Sequence, residues 1–152
     1  MEFNYKARLT PPNQKVLEIL QSAWEGEREN EASVHRLMKL AKDSADREIL
    51  RMIRMDEHKH VKYFAEIYTQ LSGQVLPQNA RITQRPMGWD FYSECEKMMY
   101  TYTENVEFYR RIYFGFSDQD IRDMLFEIMT DETNMAVKMS HMCNKNRELF
   151  SI

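Results

Sequence analysis

Four side chains in this sequence have the types and spacing needed to hold a metal ion: Glu27, Glu57, His60 and Glu132. Each interrupts a run of apolar residues at helical spacing. The step from Ala23 to Val34 passes through Glu27 and Asn30, and the step from Ile53 to Phe64 passes through Glu57 and His60. Further on, Ile128 to Met139 passes through Glu132 and Met135. Steps of three or four residues keep a side chain on the same helix face as the core, so three carboxylates and an imidazole are expected near the middle of a buried bundle. An isolated buried carboxylate must be protonated, paired or bound to a cation. The stripes bring no Lys or Arg to that level, which leaves a metal as the simplest compensating charge. Oxygen-rich donors with one imidazole suit iron or manganese, with zinc as an alternative.

The plainer reading of the same residues is a buried Glu hydrogen-bonded to Tyr102 or His60, with no metal. Glu57-x-x-His60 by itself is a weak signal, because Glu-rich helices produce that spacing often. His58 stands one residue off the stripe, and His35 and His141 also lie off the core face; all three read as surface or satisfied polar groups. The twelve Met suit irregular core filling better than a metal relay. Cys95 and Cys143 form no C-x-x-C pair, which excludes a zinc ribbon and a rubredoxin-type iron site. They read as free, partly buried thiols in a reducing cytoplasm.

The elements that must carry these residues are helices. Asn13, after Pro11-Pro12, is a plausible cap for a first helix with the stripe Val16, Leu20, Ala23, Trp24, Val34, Leu37, Met38 and Ala41. Asp43-Ser44 interrupts the run and caps a second, with Ile49, Leu50, Ile53, Phe64, Ile67, Tyr68 and Leu71, which Gly73 ends. Residues 74–88 carry Pro77 and Pro86 without periodicity and read as a crossing loop. A third helix starts at about Trp89 with Cys95, Met98, Met99, Val106, Tyr109, Ile112 and Tyr113, and Gly115 closes it. Ser117-Asp118 caps a fourth with Ile121, Leu125, Ile128, Met139 and Met142. Helices of about 30 residues are about 45 Å long. The expected fold is therefore all-α: one domain over 1–152, an antiparallel four-helix bundle of the ferritin-like kind. Its helical hairpins, about 13–73 and about 89–149, are joined by the crossover loop 74–88.

The two halves also match one another. An ungapped offset of 75 positions pairs Glu29 with Glu104, Asn30 with Asn105, Arg36 with Arg111 and Asp43 with Asp118. It also pairs Arg47 with Arg122, Leu50 with Leu125, Ile53 with Ile128, and Asp56-Glu57 with Asp131-Glu132. A duplicated hairpin leaves this kind of self-similarity.

With those elements in place, the chain resembles the rubrerythrin-like branch of the ferritin-like superfamily over about residues 14–145. The matching stretches are Glu25-Gly26-Glu27-Arg28-Glu29, Asp56-Glu57-His58-Lys59-His60, Glu107-Phe108-Tyr109-Arg110 and Asp131-Glu132. The resemblance implies a dinuclear iron site used with oxygen or peroxide. Glu27 would be the first-helix carboxylate, Glu57 and Glu132 the bridging ones, and His60 the terminal imidazole. Two positions depart from the family pattern: Tyr102 stands where a third-helix Glu is expected, and Met135 where a His follows the last Glu. Glu104 is a poor substitute, since it lies about 200° round the helix from Tyr102. Tyr102 can ligate as phenolate, hydrogen-bond a bridging Glu, or line an oxygen or peroxide site. Met135 is a poor ligand for hard ferric iron.

Composition narrows the setting. The chain has 152 residues, 30% of them charged and 43% hydrophobic, with 4 Gly and 4 Pro, a profile for a single helical domain. A net charge of -3 with scattered Lys and Arg offers no basic field to attract nucleic acid. Neither a signal-peptide apolar region nor a membrane-length apolar run is present, so no membrane partner and a cytoplasmic location are expected. The functional expectation is a metal-binding bundle holding one or two ions, with oxidoreductase activity fed by an external electron donor. The alternative is a non-catalytic structural or interaction bundle with an empty or single-metal site. Tyr63, Tyr92 and Phe91, read as exposed aromatics, raise the further idea of a homodimer.

Overall fold

Asn13 opens the first helix by accepting a hydrogen bond from the Lys15 amide at 3.0 Å, one of the otherwise unpaired N–H groups at a helix start. The computed structural model describes residues 13–88 and 90–147, so Pro11, Pro12, Trp89 and positions 148–149 lie outside it. Among the described residues the structure is all-helical, with four helices and no strand. They are α1 (Gln14–Leu40), α2 (Ser44–Ser72), α3 (Phe91–Phe114) and α4 (Gln119–Arg147).

The helix ends follow the chemistry of their residues. Asp43 caps α2 by accepting from the Ala45 amide, and Asp118 accepts from the Ile121 amide at the start of α4. Asp90 caps α3 by accepting from the Ser93 amide, so this helix begins slightly later than the stripe alone indicates. Gly73 ends α2 in the left-handed region at φ 73°, a conformation that a side chain disfavours. Gly115 closes α3 at φ -79°, a value open to any residue.

The apolar stripes pack as two clusters, not one. The first joins Val16, Leu20 and Trp24 of α1 to Phe64 and Ile67 of α2, Tyr109 and Ile112 of α3, and Ile121, Leu125 and Ile128 of α4. The second joins Val34 and Leu37 to Leu50 and Ile53, Cys95 and Met98, and Met135, Met139 and Met142. The early part of α1 and of α4 thus shares a cluster with the late part of α2 and of α3. The connection after α2 leaves its Leu76 in the first cluster and packs its Met87 against the second. Along the way Arg28 of α1 donates to the Ala80 carbonyl, and Arg85 donates to Asn30 Oδ1 at 2.7 Å. Asn30, on the core face by spacing, is buried and takes its partner from this loop.

Several surface expectations change. Tyr63, Phe91 and Tyr92 are half-buried and pack against the two clusters, so they offer no exposed aromatic face. Tyr63 also spends its hydroxyl on Glu127. The large apolar side chains that are exposed include Tyr100, Phe114 and Phe126. Cys95 and Cys143 are free and buried; burial pushes both thiols up, Cys143 to about 11.

Candidate metal centre

Between the two apolar clusters lies a polar layer. Glu27, Glu57, His60 and Glu132 are each 0% exposed, one contributed by α1, two by α2 and one by α4. Each offers one ligand atom, and these atoms all lie within 4.8 Å of one another. The three- and four-residue steps that put these side chains on their stripes are what bring them together. His58, His35 and His141 are exposed, as is Glu104.

In Glu27, Glu132 and His60 the second polar atom is held from outside. Tyr109 donates its hydroxyl to Glu27 Oε1, and Asn105 Nδ2 donates to Glu132 Oε2 at 3.3 Å. His60 Nε2 meets Asp131 Oδ2 at 3.0 Å, and Lys59 Nζ reaches the same oxygen at 2.7 Å. Lys59 in turn contacts Glu127 at 3.2 Å. An imidazole whose Nε2–H donates to a carboxylate turns Nδ1 the other way, and Nδ1 can bind a metal once its own proton is displaced. Nδ1 faces Glu27 Oε2 at 3.5 Å and Glu132 Oε1 at 3.4 Å.

What remains points inward without partners. Glu27 Oε2, both oxygens of Glu57, His60 Nδ1 and Glu132 Oε1 are buried and lack hydrogen-bond partners. Buried polar atoms left unpaired are costly and rare, and these five belong to a group that could hold a metal ion between them. The donor set, three carboxylates and one imidazole, fits a divalent or trivalent transition metal.

Electrostatics carries the same mark of crowded negative charge. Burial pushes Glu57 well above the usual carboxylate range, and the neighbouring Glu27 adds to the shift. Glu132 is raised by the same two causes, with His60 opposing. Burial also works against charge on Glu27, yet the close approach of Glu57, His60 and Glu132 and the field of His60 hold it down at about 2. Burial opposes the charged form of His60, but Asp131, Glu132 and Glu27 outweigh it and raise the imidazole. Among these side chains alone, the negative charge is thus shared with protons, which a metal ion would displace.

Tyr102 and Met135, the two departures in the second half, are both 0% exposed. Tyr102 lies close enough to Glu57 to influence its protonation, but its hydroxyl has no well-formed hydrogen bond. The expected Glu–Tyr hydrogen bond is made instead by Tyr109, which spacing had marked only as a member of the apolar stripe. Asp131 is the other site residue the stripes miss. It sits beside Glu132, one step off the core face, and only its place in the repeated Asp-Glu dipeptide marked it.

Comparison with family models, with curated proteins and with solved structures finds no match for this chain. Among the described residues, no helix is long and apolar enough to cross a membrane.

Proposed function

We propose that the chain is a ferritin-like metal-binding protein in which Glu27, Glu57, His60 and Glu132 hold iron, with manganese or zinc as alternatives. The observation that carries this reading is the set of five buried, unpartnered donor atoms that converge between the helices. The antiparallel, crossover form of the bundle belongs to the same reading. Its support is the sharing of clusters by opposite helix ends and the loop that leads from one cluster to the other.

Iron bound there supplies one-electron chemistry toward oxygen or peroxide, with electrons from an external donor. The chain's own residues have separate tasks. Asp131, itself held by Lys59, fixes the His60 ring; Tyr109 and Asn105 hold the outer oxygens of Glu27 and Glu132; and the apolar clusters above and below exclude bulk water. Low local dielectric strengthens each of these contacts.

The second reading, a non-catalytic bundle, draws on Tyr102 and Met135, which replace donors in the second half. It predicts that Glu57→Gln and His60→Gln leave stability unchanged or improved, as removal of uncompensated buried charge does. The test is metal analysis of protein purified without chelators and then loaded with iron or manganese. The metal reading expects close to stoichiometric binding that Glu57→Gln and His60→Gln abolish. Less than about a tenth of an equivalent on folded protein overturns it.

A further inference from the structure

Tyr102 is the one described aromatic residue whose hydroxyl is both buried and unpartnered. Tyr109, two turns further along α3 and nearly as buried, gives its hydroxyl to Glu27. Tyr63 and Tyr92 give theirs to Glu127 and Glu96. A phenol in a core ordinarily finds a partner, because it leaves water on folding. The Tyr102 hydroxyl instead sits among groups that are themselves short of partners. Burial and the fields of Glu57, Glu132 and Glu27 keep the proton on it, so the phenolate forms only when a cation joins these groups.

The internal repeat gives this position an independent meaning. The offset that pairs Glu57 with Glu132 pairs Glu27 with Tyr102, so the phenol occupies the place of an anionic oxygen donor. The same offset pairs His60 with Met135, also fully buried, whose thioether is a poor donor to a hard ion. One half of the duplicated constellation therefore has the imidazole, and the other has an oxygen that can become an anion.

We propose that Tyr102 is a fifth protein ligand, its phenolate oxygen binding a single metal ion shared with Glu27, Glu57, His60 and Glu132. The inference rests on the metal-binding reading above and sharpens it to a mononuclear centre that favours a trivalent ion. On binding, the Tyr102 O–H bond breaks, the proton leaves to solvent and the oxygen donates to the ion. No electron is transferred in this exchange, and proton release accompanies metal binding at buried ligands generally.

Ferric iron, supplied as its citrate chelate, tests this in the full-length protein. Wild type is expected to bind one equivalent and to develop a visible phenolate-to-iron(III) charge-transfer band. Tyr102→Phe should lose the band and bind at least about tenfold more weakly, as loss of a metal-supporting group does. The exposed Tyr100→Phe serves as control and should keep both. Tyr102→Phe removes an unpartnered hydroxyl, so its metal-free melting temperature is expected to equal or exceed that of wild type, which separates a ligand from a packing role. Iron bound without the band, or with the band intact in Tyr102→Phe, overturns the proposal while leaving the metal-binding reading in place. Two equivalents bound by wild type overturn the mononuclear form. No iron bound by folded wild type overturns both readings.

Discussion

Asp131 touches no atom that faces the centre, yet the side of His60 turned toward that centre depends on it. With Nε2 engaged at 3.0 Å and the carboxylate anchored by Lys59, the ring has one orientation, with Nδ1 turned toward Glu27 and Glu132. Asp131→Asn keeps the shape but removes the charge that holds both partners. Its metal affinity should fall by about 10- to 100-fold with the fold intact, measured by calorimetric titration; an unchanged affinity would show that the ring is held by packing. Glu27, Glu57, His60 and Glu132 were legible in the sequence because each breaks an apolar stripe at the stripe's own period. Asp131 and Asn105 were not, because their roles come from contacts between different helices. Tyr109 was hidden for another reason: a tyrosine satisfies a hydrophobic pattern whether or not its hydroxyl has a task.

At the scale of the elements, capping chemistry was the most readable feature. Asn13, Asp43, Gly73, Gly115 and Asp118 all stand where the helices begin or end. Gly73 makes the sharpest case, since φ 73° costs nothing without a Cβ. Nothing lies within 4 Å of a Cβ added there, so Gly73→Ala tests backbone conformation free of any clash. It should cost about 1 kcal/mol in urea unfolding, with the denaturant slope unchanged; no loss would mean that the end of α2 rearranges without penalty. The connecting loop was legible only as a loop. That Arg85 grips Asn30 and Arg28 grips the Ala80 carbonyl is a contact between the loop and α1 that no local pattern encodes. The start of α3 moved for a local reason, because Asp90 is a better cap than the periodicity alone revealed.

For the molecule as a whole, the centre couples folding to pH. Glu57, Glu132 and His60 are all raised by the fold, so what they contribute to stability is complete below their ordinary values and is lost as pH climbs through the raised ones. Glu27, lowered to about 2, has the opposite sense, and its contribution is lost only as pH falls toward that value. Above neutrality the metal-free fold should therefore weaken, while a metal has fewer protons to displace. The rise in melting temperature on adding iron or manganese should grow from about pH 6 to about pH 8; an increment that stays flat would mean that these groups do not exchange protons for metal. The division of the core into two clusters has its own consequence. Each helix carries apolar residues of both clusters, and the two clusters are separated by the layer of Glu27, Glu57, His60 and Glu132. An ion bound in that layer would act as a rivet, tying α1, α2 and α4 together at the one level where the apolar packing is interrupted.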